Sequence, residues 1–277
     1  MNNETHQSEN VIRLRNFSFR LGKKEILRDV SFDVHRGEYL TIVGPNGAGK
    51  TTLLKCIDRI LTGGQGEIEV CGRPLRDYRQ KELARLISYV PQADGHVLPF
   101  TVEQFVLMGR YPYFSPFSAI SEEDRQIVDD VMQQTGTLEF ADRMLGTLSG
   151  GERQKVFIAA AMAQGAKVLL LDEPTTFLDY RHQREIRTLL ARANHDSGVT
   201  IVSVTHDVNT AILESDRIVA LREGKLTFCG LPEELMKTDV LRRIYGTSLL
   251  LIEHPDAKLP VIVPHAATPH AEMEEQP

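Results

Sequence analysis

One stretch of this chain has the residue types and spacing to hold a phosphate: Gly44-Pro45-Asn46-Gly47-Ala48-Gly49-Lys50-Thr51-Thr52. Glycines let consecutive backbone N–H groups turn inward around an anion with no Cβ in the way. Lys50 is placed to reach β- and γ-phosphates, and the Thr51 hydroxyl to ligate Mg²⁺. An apolar run, Tyr39 to Val43, precedes the loop, and Leu53 to Ile57 follows it with helical spacing. That helix would add its positive N-terminal end to the anion site. Strand, glycine loop and helix in this register form the phosphate-binding P-loop.

Two further stretches could complete a reaction. Val168-Leu169-Leu170-Leu171-Asp172-Glu173 reads as a buried strand ending in adjacent carboxylates. Ligands of open α/β sheets bind at that edge. Alternation along a strand predicts that the two side chains point opposite ways and do different jobs. One would hold a metal shell, and the other would activate water at the γ-phosphate. A solvated acidic turn is the plainer alternative, but four apolar residues would then draw two charges to a sheet edge to no purpose. Leu148-Ser149-Gly150-Gly151-Glu152-Arg153-Gln154 precedes an Ala-rich helical run, Lys155 to Gln164. Ser149 is a natural N-cap, and the two glycines leave free N–H groups, a second anion site. Alone, it would be an ordinary helix start.

The elements that must position these residues follow from the patterning. Residues 11–21 and 25–34 alternate apolar and polar around Gly22-Lys23-Lys24, predicting an antiparallel hairpin. Gly63-Gly64-Gln65-Gly66 is expected to end the P-loop helix, with strands at 67–71 and 87–90. Thr101 opens a helix, and Ser121 with Asp124 resembles a capping box for another. Between them, Tyr111-Pro112-Tyr113-Phe114-Ser115-Pro116-Phe117 is either a hydrophobic plug between helices or part of a docking surface. After 165 the pattern is αβ: strands at 167–171, 199–204, 217–221 and 225–229, helices at 180–195 and 208–214, and two short helices within 233–246. Apolar strands between helices imply parallel strands covered on both faces. Beyond 253 the chain holds five of its 13 prolines and three of its nine histidines, His254, His265 and His270, and reads as a loose tail without ligand spacing.

Composition narrows the function. The 277 residues are 42% hydrophobic and 25% charged, with a net charge of −6. No polybasic block supports nucleic-acid binding. Cys56, Cys71 and Cys229 lack CxxC spacing, which argues against a disulfide framework or zinc site and leaves them as small buried hydrophobes. The polar start, MNNETHQSEN, has no apolar signal core, and no run approaches the roughly 20 apolar residues of a membrane span.

Taken together, the P-loop, the Leu148–Gln154 element and the LLLDEP strand resemble the ATP-binding cassette (ABC) family of ATPases, over about residues 11–250 and in family order. The resemblance implies an α/β fold: a P-loop NTPase ABC cassette with a RecA-like core (11–100 and 165–250), an antiparallel β-subdomain and a helical subdomain (101–164). A C-terminal tail (251–277) would follow. It implies ATP and Mg²⁺ as ligands, with Thr51, Gln92 and Asp172 at the metal. Glu173, His206 and Gln92 would be catalytic: Gln92 as the Q-loop glutamine, His206 as the switch histidine at the γ-phosphate. Leu178-Asp179 matches the D-loop. Two copies would sandwich two ATPs, with Ser149, Gly150 and Gly151 of one capping the γ-phosphate held by Lys50 of the other. One departure stands out. The family stacks adenine on an aromatic just before the glycine corresponding to Gly22, where this chain has Leu21; the adenine contact is left either to Leu21 or to Phe19, two residues earlier on the same expected strand face.

Secondary motifs, Gly95 to Val102, Val106 to Pro112, Leu178 to Gln183 and His206 to Ala211, resemble cassettes serving importers of ferric siderophores, haem and vitamin B12. The implied partners are a second cassette, two integral-membrane permease subunits and, indirectly, an extracytoplasmic substrate-binding protein. The implied place is peripheral, on the cytoplasmic face of the inner (cell) membrane. A soluble ABC ATPase of an assembly or repair complex is the competing class. The absence of heptads and the single P-loop argue against it.

Overall fold

A computed structural model describes residues 9–92, 98–115, 120–247, 249–253 and 259–263. The chain opens with β1 (Asn10–Leu21) and β2 (Lys24–His35), the antiparallel hairpin read from alternation. The buried strand β3 (Tyr39–Val43) leads into the P-loop and α1 (Lys50–Ile57). The helix ends at Ile57, well before the glycines expected to stop it, because Asp58 caps it and Arg59 turns left-handed (φ 60°). β4 (Gln65–Val70) and the two-residue β5 (Arg73–Pro74) complete a four-stranded antiparallel sheet in the order β2-β1-β4-β5.

Next come α2 (Gln80–Ala84) and β6 (Ile87–Val90), then the helices α3 (Val102–Met108), α4 (Glu122–Thr135) and α5 (Gly150–Ala163). Thr101, Ser121 and Ser149 each cap their helix, and each accepts from the backbone N–H of the third helical residue. The N-cap expected at Ser149 is in place, and α5 begins at Gly150. The αβ half follows: β7 (Val168–Asp172), α6 (Tyr180–His195), β8 (Thr200–Val204), α7 (Val208–Glu214), β9 (Arg217–Arg222) and β10 (Lys225–Gly230). The six-stranded sheet runs β10-β9-β3-β8-β7-β6, parallel except for its edge strand β10.

Short helices α8 (Pro232–Leu235) and α9 (Thr238–Tyr245) pack under β9 and β10. Part of the expected loose tail is structured: β11 (Leu250–Ile252) pairs with β12 (Val261–Val263), and Asn209 of α7 exchanges two hydrogen bonds with Ile262. His254, His265 and His270, together with Gly95, His96, Val97, Pro116 and Phe117, lie outside the described residues.

Burial explains the layering. Leu53, Leu54 and Ile57 of α1 fill the space between the antiparallel sheet and one face of the parallel sheet, against Leu14, Leu27, Leu40 and Leu170. The other face buries Leu169, Leu171 and Ile201 against Ile158 of α5 and Ile186 and Leu190 of α6. A separate cluster, including Val102, Val128, Met132 and Val156, joins α3, α4 and α5. Helix α5 thus belongs to both layers and ties the helical lobe to the sheet.

Two expectations about side chains fail. Phe19 is only 4% exposed and sits in the main core, whereas Leu21 is 62% exposed. Phe17 and Phe19, a two-residue step apart, are both packed into the core, while Leu21 at the end of β1 stands clear of it. Phe19 is therefore withdrawn as an adenine platform. Of the cysteines, only Cys56 is buried; Cys229 is exposed, its sulfur 3.2 Å from an Arg217 guanidinium nitrogen.

Candidate nucleotide site

The loop Gly44–Gly49 hangs between β3 and α1 at the carboxyl edge of the parallel sheet. Its backbone could not be built from other residues. Gly44 has φ 141°, and a Cβ there would lie 2.0 Å from the Leu221 carbonyl oxygen. Gly49, the N-cap of α1, has φ 100°. The Lys50 ammonium folds back over the loop and donates to the carbonyls of Gly44 (2.8 Å) and Pro45 (3.0 Å). Burial lowers its pKa, while the carboxylates of Glu173 and Asp172 oppose that shift. Asn46, Gly47, Ala48, Gly49, Lys50, Thr51 and Thr52 line a cleft of about 370 Å³, closed on its sides by Lys24, Ile26 and Glu173.

Asp172, the last residue of β7, is 3% exposed and faces α1. Thr51 donates its hydroxyl to Asp172 Oδ1 at 2.8 Å. Tyr89 donates to Oδ2 at 3.0 Å, and burial together with the Asp172 charge raises the phenol pKa, so it stays a donor. Glu173 lies beyond the strand with φ 50°. The two carboxylates are therefore separated by a left-handed turn of the backbone and not, as expected, by alternation along a strand. Glu173 Oε2 gathers three groups: the Gln92 amide nitrogen at 3.3 Å, the Thr176 hydroxyl at 3.0 Å and His206 Nδ1 at 3.3 Å.

The structure thus brings Lys50, Thr51, Asp172, Glu173, Gln92 and His206 to one sheet edge. Gln92 joins through Glu173. Ser149, Gly150 and Gly151 do not line this cleft. They begin α5 and pack on the stretch after Glu173: Gly150 approaches Leu178, and Gly151 lies under the His182 ring. Asp179 caps α6 and holds His182 Nδ1 at 2.9 Å. Thr176 and Tyr89 were not singled out from sequence. The signal for Tyr89 was its place on β6, paired with Leu170, which puts it on the same face as Asp172.

Among the described residues no cluster of three or more His, Cys, Asp or Glu could hold a metal. Thr51 and Asp172 offer oxygen donors, the set a hard cation such as Mg²⁺ takes when substrate phosphates and water complete its shell.

Comparison with known proteins points one way. The ABC transporter family model matches residues 27–176. Ferric enterobactin transport ATP-binding protein FepC of Escherichia coli (strain K12) is 38% identical over 94% of this chain and 97% of its own length. Iron(3+)-hydroxamate import ATP-binding protein FhuC of Bacillus subtilis (strain 168) is also 38% identical, over 87% and 89%. Hemin import ATP-binding protein HmuV of Streptomyces coelicolor (strain ATCC BAA-471 / A3(2) / M145) is 39% identical over 88% and 86%. A dimeric ATP-binding cassette solved in a post-hydrolysis state with ADP and Pi superposes with a TM-score of 0.69, 29% identity and coverage of 80% and 98%.

Proposed function

This chain belongs to the ABC transporter family, and from that premise we propose that it powers import of a ferric chelate, a siderophore complex or haem, through a membrane permease. The chain is an ATPase, the ATP-binding subunit of an importer. The observation that carries the catalytic part is the meeting of the P-loop with Asp172 and the Gln92–Glu173–His206 group at one sheet edge. The likeness to FepC, FhuC and HmuV over most of their lengths supports the cargo class.

In the proposed reaction the P-loop N–H groups cradle the phosphates of ATP, and Lys50 turns from the Gly44 and Pro45 carbonyls to the β- and γ-oxygens. Glu173 accepts a proton from a water as its oxygen bonds to the γ-phosphorus. The bond to the bridging oxygen breaks, and ADP and phosphate leave. Gln92, Thr176 and His206 fix one Glu173 oxygen and leave the other to the water. Mg²⁺ on Thr51 and Asp172, with Gln92 near its shell, would neutralise the developing charge.

Ser149, Gly150 and Gly151 stand away from their own cleft, which suits a closed pair in which a second copy supplies them. ATP would then favour closure by touching both copies only in that state. The helical subdomain, 101–164, is the proposed docking side for two permease subunits. Met108 (50% exposed) and Tyr111 (63%) form its outward apolar face. Tyr113 is also exposed (38%), although its ring is flanked by the Arg85 and Arg110 guanidinium groups, and Arg85 also donates to the Pro112 carbonyl. No described helix is long and apolar enough to cross a membrane, in keeping with a peripheral subunit at the cytoplasmic face that meets the substrate-binding protein only through the permease.

The test is uptake of ⁵⁵Fe-labelled ferric siderophores and haem in source cells lacking this chain. Wild type should restore uptake of one of them and Glu173→Gln should not. Unchanged uptake of every iron chelate in the deletion strain would overturn the cargo assignment.

A further inference from the structure

Asp172 is held from two sides, by Thr51 on Oδ1 at 2.8 Å and by Tyr89 on Oδ2 at 3.0 Å. The terminal torsion of an aspartate is broad and soft. A carboxylate anchored through one oxygen can still swing about Cβ–Cγ, and an anchor on the second oxygen stops that rotation. Asp172 is 3% exposed, so water does not stand in readily for a lost donor. Tyr89 reaches it because β6 and β7 run parallel with Tyr89 beside Leu170, and the phenol extends along that shared face to the end of β7. The ring itself packs against the main core, so ring and hydroxyl have separable roles.

We propose that Tyr89 is a positioning residue for the divalent cation: its hydroxyl fixes the Asp172 carboxylate in the orientation that, with Thr51, receives the metal. This rests on the reading of Thr51 and Asp172 as metal ligands. Partners outside the ligand set that orient a ligand typically change metal affinity by about 10- to 100-fold when removed. The hydroxyl makes no contact with the P-loop backbone that would carry nucleotide affinity in the absence of metal. Tyr89 therefore governs metal binding separately from nucleotide binding.

The experiment uses the full chain with Tyr89→Phe, which keeps the ring against the core and removes only the donor. Mn²⁺ binding to the ADP-loaded protein is read by electron paramagnetic resonance, and ADP binding is read separately in EDTA. The expected result is a Mn²⁺ affinity weakened about 10-fold or more, with metal-free ADP affinity and thermal midpoint close to wild type. ATPase activity should recover as Mg²⁺ is raised. A merely structural tyrosine predicts that ADP affinity and thermal midpoint fall together and that added Mg²⁺ restores nothing, which would overturn the proposal. Asp172→Asn separates the two failures. If it weakens Mn²⁺ and Tyr89→Phe does not, the positioning role is wrong while the metal site stands. If neither variant changes Mn²⁺ affinity, the metal site and the role of Tyr89 fall together.

Discussion

The imidazole of His182 occupies the space that a side chain at Gly151 would need: a Cβ built there lies 2.3 Å from its Cγ and Cδ2. The start of α5 and the start of α6 are thereby fitted together within one chain, with Asp179 holding the ring from the other side. Gly151→Ala should displace the first turn of α5, and with it Ser149 and Gly150, by a fraction of an ångström or more. Because a misplacement of about 1 Å at a catalytic group can cost roughly 10²-fold, ATPase activity should drop by about that factor while nucleotide affinity of the isolated chain holds. Adding His182→Ala leaves a residual approach of 2.8 Å to the His182 Cβ position, so the double variant should regain activity only in part. Steady-state phosphate release from wild type and the two variants checks this.

The Lys50 ammonium lies over the phosphate loop, donating to the Gly44 and Pro45 carbonyls. Lys50→Ala should weaken ATP binding by about 1.5–3 kcal/mol, the range for hydrogen bonds to charged groups, or roughly 10- to 150-fold. Titration calorimetry with ATP measures it, and an affinity within twofold of wild type would exclude Lys50 from the phosphate site.

Stability should depend on pH through Asp58, at the end of α1, whose carboxyl is pushed up to about 7 by burial with Arg59 opposing. A carboxyl raised above its unfolded value, about 4, gives its full contribution below that pH and loses it as pH climbs through about 7. Asp58→Asn should therefore match wild type near pH 4 and be the more stable protein at pH 8. Each kcal/mol recovered should raise the thermal midpoint by about 2–4 °C. Melting curves at the two pH values check the sign.

Arg110 and Asp124 form a buried pair at 3.0 Å inside the helical lobe, and Arg110 also donates to the Ala163 carbonyl. Asp124→Ala would strand a buried guanidinium and remove the capping partner of Ser121. The expected loss is about 3–5 kcal/mol, read as a lowered urea midpoint. Replacement of both partners by apolar residues should cost less.

The site was legible where chemistry is local in sequence. Gly44 to Thr52, Asp172 and Glu173 announced themselves because a phosphate cradle and a strand-end carboxylate pair each need a short run of particular residues, whereas His206 stood out only through the family resemblance. The strands β7, β8 and β9 and the helix α6 were legible from periodicity. What sequence could not yield depended on register and tertiary packing. Packing of the antiparallel sheet against the core took in Phe19 and left Leu21, at the end of β1, outside it. The left-handed turn at Glu173, and not strand alternation, set it apart from Asp172. The Tyr89 hydroxyl acquired its partner only when β6 paired with β7, and the Thr176 hydroxyl only when the chain turned after Glu173. Tyr113 read as exposed or plugged, and its actual place between two arginines depends on α2, far from it in sequence.

Hydrolysis as proposed turns on Glu173 as the group that takes the proton from the attacking water, held by Gln92, Thr176 and His206. Glu173→Gln keeps the shape of the side chain and removes its basicity, so the most direct measurement is single-turnover phosphate release from ATP bound to this variant. ATP should stay bound with near wild-type affinity while release slows by about 10²-fold or more, within the range a general base contributes. Release at the wild-type rate from the Glu173→Gln protein would contradict the assignment.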